Sequence, residues 1–238
     1  MQLKDATVLV VDDEPRFCEI LREWLEREGS CVLAAENGKR ALELLQQGEI
    51  SLIVTDIRMP MLDGAELVKR AKAMGKYTPA AVAISGFSDL TPREAYDLGV
   101  EAQLSKPVER KVLIAALHRT LMPREELWAE PFGPTSLPDI MIELGSLSSA
   151  QQHKQIAFGR GGFCFSSGVR FQEEASISFD LNFVGDRQLV SGQGIVRWSV
   201  GKERLTGIEI TRVSAPARDW VAALSRSKQT VSFIPRSP

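Results

Sequence analysis

Two carboxylates followed by a third stand side by side after a short apolar run, in the stretch VVDDE at residues 10–14. Like charges this close repel, and a carboxylate beside an apolar strand is costly unless something compensates it. Three other short stretches also end on groups that can do chemistry: Asp56 after SLIVT, Ser85 after AAVAI and Lys106 after AQLS. The chemistry depends on which structural elements bring these groups together.

The first half of the chain alternates short apolar runs with amphipathic stretches. Pro15 and Pro92 suit helix starts, while Asn37 and Thr91 are typical helix caps. Five such strand–helix units predict a doubly wound parallel sheet of the flavodoxin-like α/β class over residues 1–122. The expected strands are at 7–11, 31–35, 51–56, 80–85 and 102–107.

In such a sheet, ligands bind beyond the carboxyl ends of the strands. The first and third strands are neighbours in a flavodoxin-like order, so Asp12, Asp13 and Asp56 should converge. A hard divalent cation prefers oxygen ligands, and three carboxylates fit Mg²⁺. The cation would compensate the repulsion within VVDDE.

A carboxylate beside Mg²⁺ can act as a nucleophile and form an acyl phosphate. The cation would neutralise charge on the phosphoryl oxygens, and Ser85 and Lys106 would hold the others. Phosphoryl transfer needs positioning and charge stabilisation more than further covalent chemistry. The acids therefore predict phosphoryl transfer to the protein itself.

These motifs resemble the receiver domain of two-component response regulators, over residues 5–122. The resemblance rests on VVDDE, TDIRMPMLDG at 55–64, ISG at 84–86 and SKP at 105–107. It implies a signalling protein that is phosphorylated by a histidine kinase and catalyses only its own phosphoryl transfer and dephosphorylation, with homodimerisation as a possibility. The implied roles are phosphoacceptor for Asp56, metal ligands for Asp12, Asp13 and the backbone carbonyl of Arg58, switch hydroxyl for Ser85 and phosphoryl contact for Lys106.

One position departs from this resemblance. Receivers usually carry an aromatic residue three positions before the lysine, and that residue moves inward with the switch hydroxyl. This chain has Gln103 there. The phosphorylation chemistry should survive, but the aromatic part of the relay is missing.

The second half changes character. Four prolines between 123 and 138 predict a linker over 123–139, with a short helical extension at 124–129. Short alternating strands with glycine-rich joints then predict a small antiparallel β-barrel or sandwich over 140–225, ending in a helix. The polar residues 226–238 predict a flexible tail.

The stretch QIAFGRGGFCF, with Arg160 and Gly162, is the distinctive motif of this half. Its glycines could let backbone N–H groups approach a phosphate and Arg160 could pair with that phosphate, although the spacing alone favours a tight bend. The layout resembles a PilZ domain, whose members often bind cyclic di-GMP through an Arg-x-x-x-Arg segment followed by Asp/Asn-x-Ser-x-x-Gly. Only Gly162 matches that motif, and residues 139–156 contain no arginine.

Several outputs therefore stay open. The missing arginines favour a PilZ-like module that contacts a downstream protein partner. The alternatives are a cyclic di-GMP-binding adaptor tuned by phosphorylation, a β interaction module unrelated to PilZ, and a scaffold whose receiver no longer turns over. The intact acids, Ser85 and Lys106 weigh against the last.

Composition and charge further limit the classes of function that the chain can have. Residues 1–122 carry 16 basic and 19 acidic side chains, and residues 123–238 carry 13 and 12, so neither half has the basic charge typical of a DNA reader. Three dispersed cysteines indicate reduced thiols. With no apolar run of about 18 residues, we expect a cytoplasmic protein without a membrane span.

Overall fold

The computed structural model describes residues 1–74, 78–86, 89–129, 138–201, 204–225 and 231–238. The chain divides into two units, Met1–Met122 and Pro123–Pro238. Within the described residues, no helix combines the length and the apolar character needed to cross a lipid bilayer.

The first unit is a parallel sheet with helices between its strands. Its strand order is β2-β1-β3-β4-β5, and every neighbouring pair is parallel. This confirms the predicted flavodoxin-like parallel sheet. The strands are β1 Thr7–Val11, β2 Cys31–Ala35, β3 Leu52–Asp56, β4 Ala80–Ser85 and β5 Ala102–Ser105. The helices are α1 Pro15–Glu26, α2 Gly38–Gln47, α3 Gly64–Ala73, α4 Pro92–Leu98 and α5 Arg110–Leu121.

Burial explains why β1 and β3 occupy the middle of this sheet. Their side chains are apolar almost throughout and lie buried on both faces, as in parallel sheets covered by helices. Side chains of alternate residues pack against different helices, which gives separate apolar clusters on the two faces. The C-terminal ends of these two strands therefore lie side by side in a rigid frame.

Local sequence signals fix the helix starts around that frame. The side chain of Asn37 accepts a hydrogen bond from the backbone N–H of Arg40, which caps α2 as predicted. Thr91 and Glu94 form a reciprocal capping box at the start of α4, as the sequence indicated for Thr91. Asp63 caps α3 in the same manner as Asn37 caps α2. These caps set where the loops after the strands end.

The second unit is built on one curled sheet with short helices. Its described strands are β6 Ile140–Leu144, β7 Ile156–Phe158, β8 Gly162–Ser166, β9 Ser176–Phe183, β10 Gln188–Val200 and β11 Leu205–Val213. The helices are α6 Arg124–Leu127, α7 Leu147–Gln152 and α8 Ala215–Ser225. The strand order is β6-β9-β10-β11-β8-β7.

The prediction of an antiparallel barrel was wrong in one respect, because the sheet is mixed and forms a half-barrel. Strand β6 pairs parallel with β9, while the other neighbours pair antiparallel. A parallel pair needs a long crossover, and α7, β7 and β8 supply it between β6 and β9. Register shifts between β10 and β11 help the sheet to curl.

The alternation predicted for 175–183 is confirmed. Ile177, Phe179, Leu181 and Phe183 are all buried in the core of the second unit. The Phe179 ring meets the ring of Phe163 edge-on at a centroid distance of 5.1 Å. One face of β9 therefore forms the floor of this core.

The predicted linker over 123–139 is in part a structural element of the second unit. Helix α6 precedes Trp128, which is fully buried in the core and donates from Nε1 to the carbonyl of Ile210 at 3.0 Å. The N–H of Val213 in turn donates to the carbonyl of Trp128. A tryptophan buries a large apolar area, so the residues next to Trp128 in the chain are held against the same core. Residues 130–137 of the expected linker lie outside the described residues.

The segment predicted as a flexible tail, 226–238, packs in part against the second unit, and its residues 226–230 lie outside the described residues. Phe233 and Ile234 are buried, and the carbonyls of Ser232 and Phe233 accept hydrogen bonds from the backbone. The Phe233 ring also lies under the guanidinium group of Arg124, with 4.8 Å between the guanidinium carbon and the ring centroid. Two adjacent apolar residues outweigh the polar composition around them.

Candidate functional site

Three carboxylates meet at the C-terminal edge of the first unit's sheet. Asp12 directly follows β1, and Asp56 ends β3, which pairs with β1. Carboxylate oxygens of Asp12, Asp13 and Asp56 all lie within 4.8 Å of one another. Asp12 and Asp56 are buried, while Asp13 is exposed. The structure thus brings together the three acids that the strand pattern predicted to converge.

The backbone holds the carboxylate of Asp56 in one orientation. Its Oδ1 accepts hydrogen bonds from the N–H groups of Ile57 at 2.5 Å and Arg58 at 3.2 Å. Gly64 allows the following loop to close over this site, because a Cβ atom there would lie 1.9 Å from the carbonyl oxygen of Asp56. Since Oδ1 is occupied by backbone donors, Oδ2 faces the rest of the cluster.

Lys106 lies between the two buried acids. Its Nζ donates to Oδ2 of Asp56 at 2.7 Å and to Oδ2 of Asp12 at 2.9 Å. Nζ also lies 4.9 Å from the ring centroid of Phe17. Burial lowers the pKa of Lys106, but the hydrogen bonds that Lys106 donates to Asp56 and Asp12 outweigh this effect and the pKa is raised. The ammonium group therefore stays charged within the acid cluster.

The carboxylate of Asp12 is the most enclosed member of the cluster. Its Oδ1 accepts a hydrogen bond from the N–H of Glu14 at 2.8 Å. Burial raises the pKa of Asp12 even though the contacts from Glu14 and Lys106 act in the opposite direction. A cation bound at this cluster would favour the charged form, since it would replace the lost hydration.

The donor set fits a hard divalent cation. Carboxylate oxygens on Asp12, Asp13 and Asp56 offer the type of ligand that Mg²⁺ prefers, and the exposed position of Asp13 leaves room for metal-bound water. The structure places the N–H of Arg58 on Asp56 and its exposed guanidinium near Asp89, with Nε 3.3 Å from Oδ1. The role of the Arg58 carbonyl as a metal ligand stays a prediction.

Ser85 ends β4 and lies at the same edge of the sheet as the acids. The N–H of Lys106 donates to the carbonyl of Ser85, which ties the last two strand ends together. The Oγ of Ser85 accepts a hydrogen bond from Nε2 of Gln103 at 3.1 Å. The sequence singled out Gln103 only as a departure from an aromatic residue, and this contact was missed.

The register between β4 and β5 explains that contact. Gln103 pairs with Ala83, which is two residues before Ser85 on β4. Side chains two residues apart on a strand share a face, so Gln103 and Ser85 project to the same side of the sheet. Register between strands, however, was not available from the sequence.

The glycine-rich turn of the second unit lies against the chain's own C-terminal segment. The N–H of Arg160 donates to the carbonyl of Ser232 at 3.0 Å, and the N–H of Gly161 donates to the carbonyl of Phe233 at 2.9 Å. The side chain of Arg160 donates from Nε to the carbonyl of Val231 at 3.1 Å. Residues 231–233 thus accept hydrogen bonds from groups that the sequence suggested for a phosphate.

Gly162 begins β8 and lies within the sheet. A Cβ atom at Gly162 would lie 1.9 Å from the carbonyl oxygen of Ile208, so close strand packing requires this glycine. The N–H of Gly159 donates to the carbonyl of Gly162 across the turn. The motif therefore has a structural use in the tight bend that its spacing favoured.

Comparison with known proteins gives a family for the first unit. Residues 8–118 match the family described as the response regulator receiver domain. A 14.6 kDa protein of Leptolyngbya boryana, described as uncharacterized, is 39% identical over 114 residues, which are 47% of this chain and 87% of that protein. The transcriptional regulatory protein CpxR of Klebsiella pneumoniae is 30% identical over 141 residues, which are 59% of each chain.

Among solved structures, the chemotaxis response regulator CheY4 of Vibrio cholerae is 28% identical. The alignment covers 49% of this chain and 98% of that chain, with a TM-score of 0.45. This chain spans little more than half the length of the CpxR protein. The match of residues 8–118 coincides with the unit that holds the acid cluster, Ser85 and Lys106. Through these residues, the chain belongs to the response regulator receiver family.

Proposed function

We propose that the protein is the response regulator of a two-component system and that Asp56 accepts a phosphoryl group from a histidine kinase. The observation that carries this proposal is the carboxylate of Asp56 itself. It is oriented by two backbone N–H groups and lies within 4.8 Å of two further carboxylates, with Lys106 on its second oxygen. Such a group is positioned for attack and surrounded by charge-stabilising contacts.

The phosphoryl group moves in one displacement step. Oδ2 of Asp56 forms the new bond to phosphorus, since Oδ1 is held by the N–H groups of Ile57 and Arg58. The bond between phosphorus and the donor's imidazole nitrogen breaks, and that nitrogen keeps the electron pair. The product is an acyl phosphate on Asp56. Hydrolysis by water later returns the carboxylate and releases inorganic phosphate.

Lys106 changes partners during this step. Its ammonium group lies on Oδ2 of Asp56 before transfer, at 2.7 Å, and is a quarter exposed, so it can turn toward a phosphoryl oxygen. Its raised pKa keeps it charged throughout. The Ser85 hydroxyl, at the end of the neighbouring strand, donates to another phosphoryl oxygen. Lys106 and Ser85 would thus stabilise the negative charge on the phosphoryl oxygens of the acyl phosphate.

Asp12, Asp13 and Asp56 would hold Mg²⁺, with the Arg58 carbonyl as a further ligand. The cation, when bound, offsets the charge that builds up on the phosphoryl oxygens. The protein's own part is to keep Asp12 buried and charged beside Asp56, through the N–H of Glu14 on its Oδ1. Removing any one of these acids should weaken both cation binding and phosphoryl transfer.

We further propose that the second unit is a PilZ-like output module that contacts a downstream protein partner. The N–H groups of Arg160 and Gly161 already bond to the chain's own residues 232 and 233, and Gly162 is enclosed by strand packing. A diphosphate ligand would have to displace those contacts and would find no arginine in residues 139–156. This supports a protein contact over the cyclic di-GMP-binding alternative.

Incubation with a small acyl phosphate and Mg²⁺ tests the phosphoacceptor. We expect the wild-type chain to gain one phosphoryl group that hydroxylamine removes, and the Asp56→Asn variant to gain none. The Asp5→Asn variant, which alters an exposed carboxylate outside the cluster, is the matched control and should behave as wild type. Equal labelling of Asp56→Asn and wild type would refute the assignment.

Calorimetric titration of cyclic di-GMP tests the output proposal. We expect no binding heat with or without beryllofluoride and Mg²⁺, which mimic the acyl phosphate. Micromolar binding would instead support the adaptor in which a nucleotide and phosphorylation act together. In that case an Arg160→Ala variant, compared with Arg187→Ala on the turn before β10, would show whether the glycine-rich turn is the site.

A further inference from the structure

The side chain of Gln103 bridges the end of β4 and the residue that precedes the cap of α4. Its Nε2 donates to the Oγ of Ser85 at 3.1 Å and to the carbonyl of Leu90 at 2.8 Å. Ser85 ends β4 beside the acid cluster, and Leu90 immediately precedes the helix cap Thr91. One amide group therefore links the proposed switch hydroxyl to the start of α4.

The chemistry of the two partners fixes how this amide is oriented. A backbone carbonyl can only accept, so the group facing Leu90 must be the NH₂ of Gln103 and not its carbonyl oxygen. The same NH₂ is 3.1 Å from Ser85, so the hydroxyl oxygen is the acceptor there. The hydrogen of the Ser85 hydroxyl is consequently left to point to another acceptor.

We propose that Gln103 is a positioning residue that presents the Ser85 hydroxyl as a donor to the phosphoryl group on Asp56 and transmits that contact to α4. The proposal rests on the phosphoacceptor function proposed above. By occupying a lone pair on Oγ, Gln103 leaves the Ser85 hydrogen directed toward the site where charge develops. The resulting chain of hydrogen bonds runs from the phosphoryl oxygen through Ser85 and Gln103 to the Leu90 carbonyl.

A negative phosphoryl oxygen drawing on the Ser85 hydrogen makes Oγ a stronger acceptor, which draws the NH₂ of Gln103 toward Ser85. Both hydrogens of this NH₂ sit on one nitrogen, so a stronger bond to Ser85 weakens and shifts the contact between Gln103 and Leu90. The other end of the amide does not resist this movement, since Oε1 of Gln103 is buried and has no hydrogen-bond partner among the described residues. The carbonyl end of the side chain can therefore follow the hydroxyl without breaking a hydrogen bond of its own.

The start of α4 is built to move as a unit. The capping box between Thr91 and Glu94 closes the first turn directly after Leu90, and Ala95 and Tyr96 bury the helix face. A displacement of the Leu90 carbonyl therefore reaches α4 through one covalent step and a closed hydrogen-bonded turn. This gives a polar link at the position where the resemblance led us to expect an aromatic side chain.

A double-mutant cycle separates this role from a merely structural one. Gln103→Met keeps the length of the side chain and removes both donors, while Ser85→Ala removes the hydroxyl. We expect each single variant to slow acyl-phosphate formation by about twofold to tenfold, the factor that the loss of one net hydrogen bond gives. In the double variant, Gln103→Met should add no further slowing, because its effect passes through Ser85. Gln47→Met, at an exposed position on α2, is the matched control and should have the wild-type rate.

The outcomes distinguish this inference from the proposed function. If wild type takes up no phosphoryl group on Asp56, both are refuted. If wild type is phosphorylated but Gln103→Met slows the Ser85→Ala variant by the same factor as it slows wild type, only the inference is refuted. A Gln103→Met protein with the wild-type rate refutes it equally.

Hydrogen exchange supplies a second readout that does not depend on the rate. We expect beryllofluoride with Mg²⁺ to change the exchange of amides in α4, Pro92–Leu98, in wild type and in Gln47→Met. In Gln103→Met the beryllofluoride should still bind, but the change in α4 should be lost. A change of wild-type size in Gln103→Met would show that the link to Leu90 does not carry the signal.

Discussion

Lys106 joins three strand ends through a single ammonium group, which lies 2.7 Å from Oδ2 of Asp56 and 2.9 Å from Oδ2 of Asp12. The two carboxylates are buried, and each would be costly there without an opposite charge. Burial raises the pKa of Asp12, while the contacts with the acids raise the pKa of Lys106. The lysine is thus a counter-ion for the cluster as well as a phosphoryl contact.

Replacing Lys106 by methionine should therefore lower the free energy of unfolding of the first unit, and Mg²⁺ should restore it. Without the ammonium group, two buried carboxylates face each other, and we expect a loss of about 1–3 kcal/mol in the free energy of unfolding when EDTA is present. A bound divalent cation would offset the repulsion, so the stabilisation by Mg²⁺ should exceed that of wild type. Hydrogen exchange of the amides in β1 and β3 reports this unit alone.

Lys111→Met is the control for that measurement, because Lys111 lies exposed on α5. It should leave the exchange of β1 and β3 at wild-type values in both solutions. A Lys106→Met protein that matches wild type in EDTA would contradict the counter-ion role.

Gly161 should tolerate no side chain, because a Cβ atom there would lie 2.0 Å from the ring of Phe233. We expect Gly161→Ala to displace Phe233 from the second unit and to lower its free energy of unfolding by about 1–3 kcal/mol. Urea unfolding followed by tryptophan fluorescence measures the loss. Gly201→Ala is the control, since among the described residues, its chain neighbours aside, no atom lies within 4 Å of its added Cβ. Equal stability of the two variants would show that the segment with Phe233 does not pack as described.

Asp139 should make the stability of the second unit depend on pH. Its carboxylate accepts hydrogen bonds from the N–H of Ser178 at 2.7 Å and from its hydroxyl at 2.8 Å, and these hold the pKa of Asp139 below its usual value. A group with a lowered pKa in the folded state stabilises the fold above its unfolded pKa, and this contribution is lost as the pH falls through the folded pKa. The cost of Asp139→Asn should thus be constant above about pH 5 and fade below about pH 4.

Urea unfolding of wild type and of Asp139→Asn checks this expectation. The free energy of unfolding is measured at several pH values between pH 3 and pH 7, on both sides of the ordinary pKa of aspartate. The effect should be modest, since solvent screens a carboxylate at an exposed position. A difference between the two proteins that stays unchanged down to the lowest pH would refute the titration of Asp139 as its cause.

The receiver site could be predicted from the sequence because its groups stand at strand ends. Period and apolar character locate β1 and β3, and the strand order of this fold class then brings Asp12 beside Asp56. What the pattern did not reveal is how the members contact one another. The bridge from Gln103 to Ser85 and Leu90 depends on the register between β4 and β5, which no local pattern encodes.

The second unit was less predictable because its strand pairing and its long-range contacts are not encoded in any local pattern either. The alternation along β9 fixes one buried face but does not say that β6 joins its edge in parallel. Trp128 and Phe233 lie in segments with the composition of a linker and a tail, and both are buried through contacts with distant parts of the chain. Single large apolar residues in polar segments were the signal that composition masked.

Identification of the modified residue would test the central claim most directly. Borohydride reduces an aspartyl phosphate to homoserine, so wild-type protein treated with a small acyl phosphate and Mg²⁺ can be trapped and digested for peptide mass spectrometry. The account predicts homoserine at position 56 and at no other aspartate, and its absence when Mg²⁺ is chelated. Homoserine at another carboxylate, or at position 56 to the same extent without the cation, would contradict it.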